Sequence, residues 1–128
     1  MSAASYGSPR PAGGHELWAW LFMRISGLVL LVLALGHLVI MHLIHNVDTI
    51  DYNFVAGRYA TLFWRGYDLT MVVLGLLHGF NGLKILVDDY IHPPAVHKLA
   101  TALLYIVCGG FLMLGVLVIL LFKPVSAP

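Results

Sequence analysis

His78 stands twelve residues before Tyr90 in one apolar stretch, with Gly75 three residues ahead of it and Gly82 four behind. On a helix those offsets place both glycines on the face of the histidine, and the twelve residues cover ~18 Å. A histidine inside a membrane is costly, so function is its default explanation. Its ring nitrogen can ligate haem iron, and glycines above and below would clear a flat area for a porphyrin. The same glycines also suit close helix packing, with His78 then hydrogen-bonding across the bundle. Spacing alone leaves both readings open.

A second constellation gathers near one membrane face when the first two spans run antiparallel: Arg24, Ser26, Asp89 and Tyr90. A quinone headgroup needs a hydrogen-bond donor at each carbonyl oxygen and a proton source on reduction. Hydroxyl and guanidinium groups fill those roles. Taken singly, each residue has a plainer reading, tyrosine in the interfacial aromatic belt and Arg24 snorkelling to phosphates. Lys84 fits a snorkelling residue or a contact to a haem propionate. His37 follows Arg24 by thirteen residues, with Ala34 three before it and Gly27 a heptad before Ala34, a weaker version of the pattern around His78. His42 and His45 fall at the outer end of the first span, and His92 and His97 flank the second loop. Cys108 is the sole cysteine, so neither a disulfide framework nor a Cys-rich metal site is available.

These residues need elements to hold them. With 60% hydrophobic and 10% charged residues among 128, the chain is far from an ordinary soluble domain, where about a quarter of residues are charged. Three apolar blocks near 17–44, 64–90 and 97–122 each reach the roughly 20 residues that cross a bilayer. The expected fold is an all-α membrane protein of three transmembrane helices. Residues 1–16 are expected as a flexible tail and 123–128 as a second one. The first block is too long for a cleaved signal sequence and is expected to be retained. Phe54–Phe63 is expected as a short interfacial helix, and the His92-Pro93-Pro94 run ends the second span. Arg10, Arg24, Lys84 and Lys98 against Arg58, Arg65 and Lys123 give a slim positive-inside bias that sets the N-terminus in the cytoplasm. A formal charge of +1 with no basic patch argues against nucleic acid as a partner.

The motif His78, Asp89, Tyr90 resembles the D-type membrane anchor of succinate dehydrogenase (succinate:quinone oxidoreductase, complex II). There a haem-ligand histidine is followed twelve residues on by a quinone-site tyrosine that directly follows an aspartate. Arg24-Ile25-Ser26-Gly27 is similar to the Arg-x-Ser-Gly opening of the first anchor helix, and with the three-span layout the resemblance covers nearly all of the chain from Trp18 onward. It implies one haem b with His78 as an axial ligand and the other ligand from a second anchor subunit. It also implies quinone as substrate, with Tyr90 bonding it and Asp89 orienting nearby groups. FAD and iron–sulfur clusters would sit in a flavoprotein subunit and an iron–sulfur subunit, and the chain would lie in the bacterial cytoplasmic membrane. Two departures matter. In two-anchor enzymes Arg-x-Ser-Gly belongs to the C-type partner, so Arg24 and Ser26 have a structural or propionate-lining role open to them. His37 looks like the first-helix ligand of two-haem members, which implies a second, distal haem.

Other functions stay in view. The anchor of quinol:fumarate reductase would look alike, because direction depends on catalytic subunits this chain does not encode. A haem-free scaffold would dock a soluble enzyme and tolerate loss of His78. An ion-translocating subunit would carry an acid or lysine at mid-membrane, whereas Asp68 is expected near the outer interface.

Overall fold

A computed structural model describes residues 14–123; of the tails expected at 1–16 and 123–128, residues 1–13 and 124–128 lie outside the described residues, while α1 already begins at His15. The chain forms α1 (His15–Leu38), a π-helical turn (Val39–Ile44), a 3₁₀ turn (Val47–Thr49), α2 (Tyr52–Tyr59), α3 (Leu62–Tyr90) and α4 (Pro94–Leu121). Three segments are long and apolar enough to cross a membrane: Leu17–Ile44, Leu62–Tyr90 and Pro94–Leu121. The second span thus begins two residues earlier than the apolar block predicts, and the third three residues earlier. Pro94 explains the latter. It sits in the first turn of α4, where its missing N–H is not needed and its fixed φ already suits a helix.

The loop helix α2 is shifted towards the N-terminus from the predicted Phe54–Phe63. Its start is fixed by Asp51, whose carboxylate accepts a hydrogen bond from the Phe54 N–H at 2.9 Å. That is an N-cap, satisfying a donor the helix itself cannot. Its end is set by Thr61, whose backbone is extended and opens α3.

Helix α3 is the spine. It packs along both α1 and α4, whereas α1 and α4 share no comparable contact. The α1–α3 seam is antiparallel. Gly82 faces Met23, Gly27 faces His78, Gly75 faces Leu30 and Gly36 faces the Tyr67 hydroxyl. On the other side, Phe80 meets Tyr105 at a ring-centroid distance of 4.8 Å. Val72 presses so closely on Gly115 that a Cβ there would stand 2.8 Å from Val72 Cγ1. Near the start of α3 Arg65 donates to the carbonyls of Phe122 at 2.7 Å and Leu120 at 3.4 Å. A cation there satisfies acceptors left open at the end of α4 and complements its dipole.

Three helices in an open layer have little interior. Ile119 is the only buried hydrophobic residue among those described, while leucines, valines and isoleucines on all three spans are exposed. Apolar surface of that extent suits lipid and partner helices as solvent. The buried residues are otherwise polar: Ser26, Arg58 and Asp68.

Candidate functional site

Ser26 is the most enclosed of these, 2% exposed, and its Oγ lies 2.9 Å from His78 Nδ1. A serine within a helix commonly turns its hydroxyl hydrogen back to a carbonyl one turn earlier, and Ser26 does so to Met23 O at 3.4 Å. With the hydroxyl hydrogen on Met23 O, Oγ is an acceptor for His78 Nδ1–H, the pairing in which Nε2 keeps its lone pair. This is the tautomer that can bind a metal, held in orientation by a hydrogen bond on the other nitrogen.

Next to Ser26, Gly27 makes the close approach possible. A Cβ on Gly27 would stand 3.2 Å from His78 Cε1, so the imidazole lies on bare backbone. Sequence reasoning placed the relevant glycines on the histidine's own helix. Gly75 and Gly82 also face α1, where Leu30 Cδ2 and Met23 Cε stand 3.9 Å and 3.7 Å from where their Cβ atoms would be. The glycine that seats His78 belongs to α1, and its signal in the sequence was the Arg24-Ile25-Ser26-Gly27 run itself.

One to two turns towards the start of α1, a groove of about 600 Å³ opens between α1 and α3, lined by Ala19, Trp20, Met23, Arg24, Asn81, Ile85 and Asp88. Arg24 stacks its guanidinium over the Trp20 ring, 4.1 Å from the centroid, a cation–π contact that holds it at the mouth. Asp88, which sequence reasoning passed over, is the acid of this groove. It pairs with Lys84 one turn back and with His97 Nε2 on α4 at 2.8 Å. The signals available for it were the four-residue offset from Lys84 and a histidine soon after the Pro-Pro turn. Asp89 and Tyr90 are exposed, Tyr90 by 77%, at the end of α3. Of the four residues expected together, Ser26 serves His78, Arg24 lines the groove, and Asp89 and Tyr90 project at the adjacent helix end.

A separate polar cluster ties α2 to the start of α3 and the end of α1. Arg58 Nη2 donates to Asp68 Oδ1 at 3.4 Å, both residues being buried. The Arg58 guanidinium also lies 3.9 Å over the Trp64 ring. His37 Nδ1 is buried without a hydrogen bond, 4.0 Å from the same Asp68 oxygen. Nearby Tyr59 has its phenol pushed above the ordinary tyrosine range, chiefly by burial and then by the negative charge of Asp68, so it remains a neutral donor. Among the described residues no group of three His, Cys, Asp or Glu side chains is placed to hold a metal ion.

The geometry defines an integral membrane protein of three spans in which one mid-span histidine is oriented by a serine from the neighbouring helix. The family model described as the succinate dehydrogenase/fumarate reductase transmembrane subunit matches residues 10–118. The chain belongs to that family, whose members are parts of a multi-subunit succinate dehydrogenase/fumarate reductase complex. No curated protein matches the chain.

Proposed function

We propose that this chain is the D-type anchor of a succinate:quinone oxidoreductase, supplying His78 as an axial ligand to haem b and one wall of a quinone site. The observation that carries the reading is the Ser26–His78 hydrogen bond of 2.9 Å. With the Nδ1 proton on that bond, Nε2 keeps its lone pair beside glycine backbone, an arrangement that suits a metal ligand. A bound b-type haem supplies reversible one-electron chemistry at this depth. The chain's own contribution is to fix the ligand tautomer through Ser26, seat the ring on Gly27, and close the α1–α3 seam with Met23 and Leu30.

Towards the membrane face, Arg24 and Tyr90 are the donors for quinone oxygens, with Asp89 orienting the end of α3. Lys84 is engaged by Asp88, which restrains it at the rim, where a propionate would meet it. His37 is the candidate for a second, distal haem in this reading. Its Nδ1 faces Asp68, which leaves Nε2 open for a second, distal haem. A second anchor subunit provides the other axial ligand and covers exposed apolar surface. A flavoprotein with FAD and an iron–sulfur subunit dock at the face that carries Trp20 and Tyr90. The membrane is the bacterial cytoplasmic membrane, with the N-terminus inside, and direction of turnover is set by the catalytic subunits.

Reconstitution tests this reading. With this chain and its partner anchor present, succinate should drive reduction of a short-chain quinone in proteoliposomes. Without this chain, electrons should reach only soluble dyes. Equal quinone reduction with and without the chain would overturn the reading.

A further inference from the structure

Quinone reduction consumes two electrons and two protons per molecule, and the protons must cross from water to a site below the membrane surface. Asp88 and His97 stand at the end of α3 and the start of α4. His97 Nε2 and Asp88 Oδ1 are 2.8 Å apart, with their side chains 33% and 46% exposed. The same Asp88 lines the groove that extends along α3 past Ile85 to Asn81. Asn81 is one turn from His78, and the offsets 78, 81, 85 and 88 follow one helix face. The groove, at about 600 Å³, holds many times the volume of one water molecule. A titratable pair at the surface thus opens into a channel whose far end carries an amide.

We infer that His97 and Asp88 form the proton relay from the membrane surface into the Arg24–Asn81 groove. This rests on the quinone-site reading above. His97 takes a proton from bulk water on Nδ1 and releases the Nε2 proton to Asp88 Oδ1. Asp88 passes it through groove water to the quinone oxygen, and the imidazole regains its starting tautomer by rotation or exchange. Two such passages, with two electrons delivered through the iron–sulfur subunit, convert quinone to quinol and leave Asp88 ionised and His97 neutral. In the reverse direction the same pair exports protons from quinol.

The charges facing Asp88 suit a relay rather than a store. Lys84 on its own helix bonds the carboxylate, His97 approaches from α4, and Arg24 lines the opposite wall on α1. The Lys84 ammonium bonded to the carboxylate favours its return to the anion after each transfer.

The test uses the whole complex and three variants: Asp88→Asn, Asp88→Glu and His97→Gln. Succinate:quinone turnover is followed from about pH 6 to about pH 9, beside succinate turnover with a soluble dye that bypasses quinone, and with the KM for quinone. Asp88→Asn should lower the kcat for quinone by about tenfold or more, the low end of what a positioned proton-transfer group contributes. The loss should deepen as pH rises, with KM and dye turnover unchanged, and Asp88→Glu should restore most of the rate. His97→Gln should give the same pH-dependent loss in weaker form, since water reaches Asp88 directly. Unaltered quinone turnover in Asp88→Asn would overturn the relay, and so would a pH-independent loss accompanied by a raised KM. A wild-type complex that reduces dye but no quinone would overturn the quinone-site reading and the relay with it.

Discussion

Ser26 and His78 sit on different helices, with 2.9 Å between Oγ and Nδ1. The serine carries almost no exposed surface, and its hydroxyl is committed on one side to Met23 O and on the other to the imidazole.

Ser26→Ala should therefore weaken haem without abolishing it. Loss of an outer-shell partner to a ligating histidine costs about 10- to 100-fold in affinity. The checks are haem content after extended washing and the midpoint potential by redox titration. Ser26→Thr, which keeps the hydroxyl, should retain haem.

Gly27→Leu should be more severe than Ser26→Ala. A Cβ alone would stand 3.2 Å from His78 Cε1, and a branched side chain beyond it would displace the ring from its seat. The haem on His78 should fall to near zero while the three-span fold persists, as judged by helical circular dichroism. Full haem in Gly27→Leu would mean that the imidazole has another place to sit.

Tyr90→Phe should leave the haem spectrum untouched and reduce quinone turnover by about tenfold, the equivalent of one lost hydrogen bond near 1.4 kcal/mol. Paired measurements of haem content and steady-state quinone reduction separate the two effects. Tyr90 is 77% exposed within this chain, so its removal leaves the chain's own packing intact.

Asp68→Ala should destabilise the anchor by about 3–5 kcal/mol, because it leaves the buried Arg58 guanidinium without its carboxylate. The double change Arg58→Met with Asp68→Leu should recover most of that loss. Thermal inactivation of the detergent-solubilised complex reads both. Electron delivery to quinone at low temperature should be unaffected in either variant, since the cluster lies at the far end of α3 from the groove.

Gly115→Ala should be harmful on its own account. The added methyl meets Val72 Cγ1 at 2.8 Å, and a β-branched residue in a helix has one strongly preferred rotamer to offer. Forced separation of α3 from α4 costs about 1–3 kcal/mol. A companion change, Val72→Ala, should relieve it.

The spans were legible because membrane helices are written in long unbroken apolar runs, and their limits moved by no more than three residues. Pro94 illustrates why even those small shifts arise: a proline that ends one helix can also begin the next. His78, Ser26 and Gly27 were each visible as unusual residues, yet their contact was not, because pairing across helices depends on a seam register that no single-helix periodicity encodes. Asp88 and Asp89 show how fine that dependence is. One residue turns a side chain by about 100° around the helix axis. That step separates the carboxylate bonded to Lys84 and His97 from the one with neither contact. Asp68 was read as an interfacial acid. Its burial comes from Arg58 in the loop helix, whose packing over Trp64 has no local signature.

The reduced-minus-oxidised visible spectrum of the purified complex, with haem quantified against flavin, tests the ligand assignment most directly when run on wild type and His78→Ala side by side. A b-type haem in the wild type that is absent or strongly depleted in His78→Ala is the expected result. An unchanged haem spectrum in His78→Ala would contradict it and return His78 to the role of a packed, hydrogen-bonded histidine.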